Sequence, residues 1–376
     1  MKKILILYAT YGSGHKAVAN YIEKYFKIRN PRLEILNINI LDYSNKKVGK
    51  FSEKISDFFL LKFPLGWDFI YNITNNKLGS FISSKAQLSL FKKKELIDLI
   101  KDFNPDVTIC THFSGSDVVK YCNKKGYTNS KIVTIVTDYK THLVWTKETK
   151  KQDAIIISNI DEIDKLSKKG IYNKILMPIG IPIYPVLSKY FNKKALIKEF
   201  GFDNKNKICL FFGGGGNGGV HSLPYIKKII KSNININFIY IAGRNLKSKA
   251  KVDKWIDKYG ACNVKTLGYV NNVPELINIS DFIVTKPGGI QLTECLHYKK
   301  PVIMFNSSGG QEEGNSKFIE KNNLGKMFRR VRPFIKYIKE IEVNDDILKE
   351  YNKSHRKYKN DTSMEKFYDM IKEMIK

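Results

Sequence analysis

Acidic residues are scarce in this sequence: 36 Asp and Glu stand against 65 Lys and Arg, a formal net charge of +29 over 376 residues. Nucleic acid is the reflex reading of such a balance. Yet the lysines are scattered rather than gathered in an arm, and no recognised nucleic-acid module occurs. An anionic membrane surface suits the pattern better, where each Lys or Arg near the headgroups contributes roughly 1 kcal/mol. Part of the excess also fits a plain bias toward Lys, Asn and Ile. Cysteine is scarce as well. Cys110, Cys122, Cys209, Cys262 and Cys295 form an odd set without a CxxC pair, which excludes a disulfide framework and leaves packing thiols. No apolar run reaches the ~20 residues of a membrane span. The opening strand, Lys3–Ala9, leads into a glycine turn rather than a cleavage signal. The expected location is the cytoplasm.

Several signatures are missing too. No GK[ST] follows the glycine run Gly213–Gly219, so it is not a Walker loop. No acidic residue ends the next strand, where Ile241-Ala242-Gly243-Arg244 stands, so a dinucleotide fingerprint is not completed. Ser114, Gly115 and Ser116 lack the GxSxG elbow of a hydrolase, and His112 beside them reads as a loop histidine. No DxD pair accompanies the glycine turns, so no metal is expected.

What the sequence does hold is βα alternation. Hydrophobic residues make up 43% and aromatics 12%, enough for a folded chain with two cores. Strands are expected at Lys3–Ala9, Leu33–Ile38, Asp106–Cys110, Ile132–Thr137, Ala154–Ser158 and Ile175–Met177. After the proline-rich MPIGIPIYP at Met177–Pro185 the pattern restarts with Lys207–Phe212, Asn235–Ile241, Asn263–Leu267, Asp281–Thr285 and Pro301–Phe305. The pattern predicts an α/β fold of two doubly wound, Rossmann-like domains facing one another across a cleft. The expected boundaries are 1–181, 182–345 and a polar helical segment at 346–376.

Chemistry gathers at the strand-to-helix turns. In Tyr11–His15 (YGSGH) two glycines turn the backbone and set His15 at a helix start, where the positive helix end disfavours an imidazolium and keeps the ring a neutral base. The competing reading is a histidine that merely caps the helix. Gly213, Gly214 and Gly215 follow a strand directly and let the backbone approach a phosphate. Arg244 adds a positive charge nearby or is simply a solvated loop arginine. Lys286–Glu294 (KPGGIQLTE) carries Gly288 and Gly289 into a helix N-terminus able to take phosphate. Gly309–Asn315 (GGQEEGN) supplies Gln311, Glu312 and Asn315 after the next strand. Carboxylates and amides beside two such turns suit the vicinal hydroxyls of a nucleotide-sugar. Asp138 ends an apolar strand and is a second candidate base, an orienter of His15, or a loop cap. In Lys47–Phe63 the residues Val48, Phe51, Ile55, Phe58 and Phe59 share a helical face flanked by lysines, with Trp67 following. Such a face is either core or a surface that dips into a membrane interface.

YATYGSGHKA (Tyr8–Ala17), TDY with a following His and Trp (Thr137–Tyr139, His142, Trp145), GIP (Gly180–Pro182), LGYV (Leu267–Val270), KPGGIQLTE and GQEEGN together resemble family-28 glycosyltransferases of the diacylglycerol type. The resemblance covers nearly the whole chain. It implies the two-domain GT-B fold and an inverting transfer of glucose or galactose from a UDP-sugar to diacylglycerol, at an anionic membrane surface on the inner face of the cell membrane. It implies a required histidine at His15, with His142 and Trp145 on the acceptor side. It places Glu294 on the ribose hydroxyls and Gln311 and Glu312 on the hexose. It implies that the final helix packs back on the first domain, and that the UDP-sugar is a co-substrate needing no metal or other cofactor. One departure stands out: Gly309 replaces the proline that relatives usually carry before GQE, which is expected to loosen that loop. Two rivals remain, a GlcNAc transferase acting on a lipid-linked peptidoglycan precursor and a sugar- or nucleic-acid-binding protein without turnover. Oligomeric state is not legible.

Overall fold

A computed structural model describes residues 1–10, 14–44, 71–76, 78–82, Ser89, Phe91, 94–171, 173–184, 186–202, 205–214, 221–305, 309–358 and 363–376. Two compact units emerge. The first comprises Met1–Tyr184, Ser308–Asn315 and Thr362–Lys376; the second comprises Pro185–Ser307 and Ser316–Asp361.

Each unit is built on a six-stranded, wholly parallel sheet. The first contains β1 (Lys3–Tyr8), β2 (Glu34–Asn39), β3 (Val107–Cys110), β4 (Lys131–Ile135), β5 (Ala154–Ile156) and β6 (Leu176–Met177), in the order β2-β1-β3-β4-β5-β6. The second contains β7 (Ile208–Phe212), β8 (Asn237–Ile241), β9 (Val264–Leu267), β10 (Phe282–Thr285), β11 (Val302–Phe305) and β12 (Gly325–Phe328), in the order β12-β11-β10-β7-β8-β9. Helices cover both faces of such sheets, so central strands read as unbroken apolar runs rather than alternating ones. ICLFF in β7 and NFIYI in β8 are buried at every position.

Strand order fixes where a ligand can bind. In a doubly wound sheet the crevice opens where successive connections leave in opposite directions, outside the carboxyl ends of the strands. In the first sheet that point lies between β1 and β3, and in the second between β7 and β10. The glycine turns singled out above follow β1, β7 and β10, so they fall at the two switch points.

Of the strands, β12 was not anticipated. It is a short edge strand with Gly and Lys in its sequence, which carries little β-propensity. Its glycine is demanded by packing: a Cβ on Gly325 would sit 1.9 Å from the Val302 carbonyl oxygen. The segment 346–376 is divided between the units. The helix Asp346–Lys357 stays in the second unit, because Leu348 and Tyr351 join its core and His355 Nε2 bonds the Leu324 carbonyl at 2.9 Å. The helix Ser363–Met374 lies in the first, where the Phe367 and Tyr368 rings stand 5.9 and 5.0 Å from Phe26. Lys131 Nζ donates to the Met374 carbonyl there. The chain leaves the first unit at Tyr184, three residues beyond the expected boundary.

Candidate functional site

His15 occupies the first turn of the helix Gly14–Arg29, at the switch point of the first sheet. Its Nδ1 lies 2.6 Å from the Thr111 carbonyl oxygen, and the Thr111 hydroxyl donates back to the His15 carbonyl at 3.0 Å. Thr111 is the first residue beyond β3, so two strands at the switch point hold one imidazole between them. A carbonyl only accepts; Nδ1 therefore carries the proton and Nε2 keeps a lone pair. The Thr137 hydroxyl stands 3.3 Å from the same Nδ1. Desolvation pushes the His15 pKa down to about 4, against the opposing pull of the Thr111 carbonyl. The ring is neutral, as expected, but burial is the main cause rather than the helix end. The orienter of His15 is likewise Thr111 and not Asp138, a role hidden from the sequence because it belongs to a backbone oxygen. Topology alone carried the signal: Thr111 follows directly on β3, the strand beside β1.

Aromatic rings wall this imidazole. His112 stands edge-on with centroids 5.0 Å apart, and Trp145 lies at 6.1 Å. His112 is buried and caps the helix Phe113–Lys124 by accepting from Ser114 N at 3.3 Å. Its pKa falls well below the usual value through desolvation and then through His15. His142 also caps, accepting from Val144 N at 3.1 Å, while its Nε2 lies 3.0 Å from the Tyr71 carbonyl oxygen. Trp145 is buried against Phe113 and His112. The structure thus gives Trp145 a packing place beside the His15 ring and His142 a capping place at the turn that leads to Trp145.

Asp138 follows Thr137 and accepts from Asn315 Nδ2 at 2.9 Å. The other end of that amide, Oδ1, accepts from Tyr139 N at 2.7 Å. Asn315 is fully buried in the helix Gly310–Lys321. Desolvation raises the Asp138 pKa to about 6; the Asn315 bond opposes the rise and the Glu312 charge adds to it. At neutral pH the group is mostly ionised and a far better proton acceptor than an ordinary carboxylate. Gln311 and Glu312 stand half-buried on the first turn of that helix. The turn before it uses positive φ at both Gly309 (+78°) and Gly310 (+55°). Proline is locked near −65° and cannot take that conformation; a glycine at 309 is what this turn requires.

In the second unit the donor candidates are mostly backbone. Gly213 follows β7 and donates its N–H to the Ile241 carbonyl at 2.8 Å. A Cβ there would come within 2.6 Å of the Tyr240 hydroxyl, so no larger residue fits. Gly214 has φ +119°, and Gly215 lies outside the described residues. After β10, Gly288 is the N-cap of the helix Gly289–His297 and has no side-chain cap bond. A Cβ on Gly288 would meet nothing within 4 Å. A side chain at 288 would thus meet no neighbour, and a helix N-terminus of this kind suits an anion. Glu294 sits half-buried one turn on, with Gln291 Nε2 3.3 Å from its Oε2. Arg244 is exposed and lies over the Tyr269 ring at 5.2 Å, an anchored cation rather than a freely solvated one.

The apolar face at Phe51, Phe58 and Phe59, together with Trp67, lies outside the described residues. Close after it, Leu78 and Ile82 are 69% and 60% exposed. Among the described residues no helix is long and apolar enough to cross a membrane, and no three His, Cys, Asp or Glu side chains converge as metal ligands would.

Residues 15–183 match the family described as monogalactosyldiacylglycerol (MGDG) synthase, and residues 192–358 match glycosyl transferases group 1. A processive diacylglycerol beta-glucosyltransferase of Bacillus pumilus is 26% identical over 375 residues, covering 97% of this chain and 94% of that protein. The Bacillus subtilis protein of the same name is 25% identical over 362 residues, covering 96% and 90%. Among solved structures, MurG of Acinetobacter baumannii superposes with a TM-score of 0.63 at 9% identity over 99% of this chain and 100% of that one. HepE of Anabaena, crystallised with UDP and glucose, gives 0.58 at 13% identity over 99% and 100%. At such identities these structures speak for the fold alone.

Proposed function

We propose, for a chain that matches at family level the diacylglycerol glycosyltransferases of GT-B architecture, an inverting transfer of a hexose from a UDP-sugar to the 3-hydroxyl of 1,2-diacylglycerol. Glucose is favoured over galactose by the names of the Bacillus relatives. The observation that carries the reading is the His15 imidazole, fixed through Nδ1 and offering the Nε2 lone pair at a sheet switch point.

In this reaction the acceptor oxygen forms its bond to the anomeric carbon as its proton passes to Nε2 of His15. The anomeric carbon–oxygen bond to UDP breaks, and the electron pair leaves on the β-phosphate. An α-linked donor thereby gives a β-linked glycolipid. A pKa near 4 makes His15 a weak base in the empty protein; the negative charge of a bound diphosphate nearby raises it toward the working range. Asp138, ionised at neutral pH, is the second group able to take or steady that proton. On the donor side, the helix N-terminus after Gly288 and the backbone at Gly214 receive the diphosphate, with Gly213 fixing the turn through its own bond to the Ile241 carbonyl; Glu294 takes the two ribose hydroxyls, and Gln311 and Glu312 read the hexose. Arg244 supplies positive charge at the edge. Departure of UDP on backbone donors needs no metal, so activity is expected to survive exhaustive EDTA treatment.

The protein works as a peripheral enzyme on the cytoplasmic face of the membrane. Its large positive charge and the exposed Leu78, Phe81 and Ile82 support a basic surface with an apolar anchor. Binding to anionic vesicles should weaken as salt shortens the screening length, ~8 Å at physiological ionic strength. The decisive test incubates purified protein with dioleoylglycerol vesicles and UDP-glucose, UDP-galactose or UDP-GlcNAc, then determines product mass and linkage. β-Hexosyl-diacylglycerol is the expected product. Transfer only of GlcNAc, and only to a lipid-linked muropeptide, would replace this reading with its nearest rival.

A further inference from the structure

Asn is a poor helix former, because its amide competes for backbone groups. Asn315 nevertheless sits well inside a 12-residue helix, wholly removed from solvent. Its amide is spent at both ends, on the Asp138 carboxylate and on the Tyr139 N–H. Only an amide presents a donor and an acceptor side by side in this way; Asp would supply only acceptors and Leu neither.

The neighbouring residue presses on the same loop. A Cβ on Gly314 would lie 2.5 Å from the Lys140 Cβ, so the helix can approach only because residue 314 is glycine. Further along, the loop's N–H groups are taken by side chains from other segments: Thr141 N donates to Glu162 Oε2 at 2.6 Å and Leu143 N to Asn75 Oδ1 at 3.0 Å. The loop is thus fastened along its length, and Asn315 is the fastener that comes from the helix carrying Gln311 and Glu312. The charged group that acts on Asp138 is Glu312, three residues before Asn315.

We infer that Asn315 is a positioning residue rather than a direct ligand of the donor: its amide locks Asp138 and the loop behind it to the turn that reads the hexose. Sugar recognition and the group serving the acceptor's proton are thereby held in one register. This rests on the reaction proposed above. A hexose seated on Gln311 and Glu312 would set the position of Asp138 through a single rigid amide. Misplacement of about 1 Å in such a group can cost roughly 10²-fold in rate.

The test compares Asn315→Ala and Asn315→Asp with the unaltered protein, using UDP-glucose and diacylglycerol vesicles. Asn315→Ala should lower kcat about 10- to 100-fold and leave the KM for UDP-glucose within about twofold. Asn315→Asp still accepts from Tyr139 N–H but turns a second carboxylate on Asp138, so the acidic limb of its kcat profile should move to higher pH. A large rise in KM with kcat retained would make Asn315 a donor ligand and overturn the inference, as would two variants with unaltered kinetics. A thermal double-mutant cycle between Asn315→Ala and Asp138→Ala reads the lock without any turnover. Non-additive melting shifts are expected, and additive ones would sink the lock. Absence of lipid glycosylation by the unaltered protein would fault the proposed reaction instead.

Discussion

At the switch point of the first sheet the polar groups are side chains that titrate: His15, with His112 beside it and Asp138 after β4. At the switch point of the second they are glycines, backbone N–H groups and a helix N-terminus, with Glu294 one turn further on. Both sheets are parallel and six-stranded, so architecture does not explain the difference. Chemistry does. A group that moves a proton must have its pKa set by desolvation and by the bonds around it, which takes a packed, aromatic wall. A group that grips a diphosphate needs several N–H donors and close approach, which takes bare backbone. On the proposed reaction the first switch point serves the rate and the second the grip, so substitutions at the two switch points should separate kcat from KM.

The largest effect should come from His15. Replacing it with Ala removes the Nε2 lone pair and should lower kcat by ~10²–10⁴-fold, the usual contribution of a general base. UDP affinity measured by calorimetry should not move, because the proposed diphosphate contacts belong to the other unit. Near-normal turnover in His15→Ala would hand the base to Asp138. The pH profile sharpens the point. If Asp138, raised to about 6, steadies the proton as proposed, kcat should fall below that pH, and Asp138→Asn should turn over more slowly and lack this limb.

Next comes Glu294. Charge-assisted hydrogen bonds are worth ~1.5–3 kcal/mol each, so Glu294→Ala should raise the KM for the UDP-sugar by roughly 10- to 150-fold. Its kcat at saturating donor should stay near normal. A variant with unchanged UDP affinity would remove Glu294 from the donor site. A loss mainly in kcat would blur the division between the units.

The division was partly legible in the sequence. Apolar runs such as ICLFF and VTIC announced fully buried strands, and the glycines after β1, β7 and β10 fell at the switch points that strand order later defined. Glu294, Gln311 and Glu312 were singled out from their place after those turns together with the family resemblance. What could not be read was any role carried by a backbone atom or by a long-range partner. The Thr111 carbonyl that fixes the His15 tautomer is 96 positions away in the chain, and the Asn315 amide meets Asp138 across 177. Nor does a sequence show that GKMF forms an edge strand, since its glycine is set by contact with Val302 rather than by propensity.

A smaller effect, on stability rather than rate, is expected at Gly213. Adding a methyl there forces a group to within 2.6 Å of the Tyr240 hydroxyl and 2.9 Å of the Ile241 carbonyl oxygen. Overpacking of this kind costs typically ~1–3 kcal/mol. Gly213→Ala should therefore lower the melting temperature of the second unit and weaken UDP binding with it. Calorimetry resolving two transitions would check that the first unit keeps its own. An unchanged melting profile would mean the turn has room to move, and the close approach assigned to it would be wrong.

The smallest effect tests the same contrast through acid. Burial holds the pKa of His15 and His142 at about 4 and that of His112 well below 6.5 in the first unit, whereas in the second His355 is likewise at about 4. A histidine depressed on folding binds its proton more readily when unfolded. Its contribution to stability is therefore complete above pH 6.5 and is lost as the pH falls from there toward 4. Asp138 acts in the opposite sense. Its pKa is raised from 3.8 to about 6, so the folded state gains stability as the pH drops through that window. Among the described residues, three depressed histidines outweigh one raised aspartate in the first unit, whereas in the second the depressed His355 has no raised carboxylate set against it. From pH 7.5 to 4.5 the transition of the first unit should fall further than that of the second, by a few degrees given ~2–4 °C per kcal/mol for domains of this size. His142→Asn should reduce the gap by removing one titrating ring while keeping a side chain able to cap Val144 N. Equal acid shifts in the two transitions would show that the wall around His15 admits protons, and the neutral imidazole on which the proposed reaction depends would then be lost in mild acid.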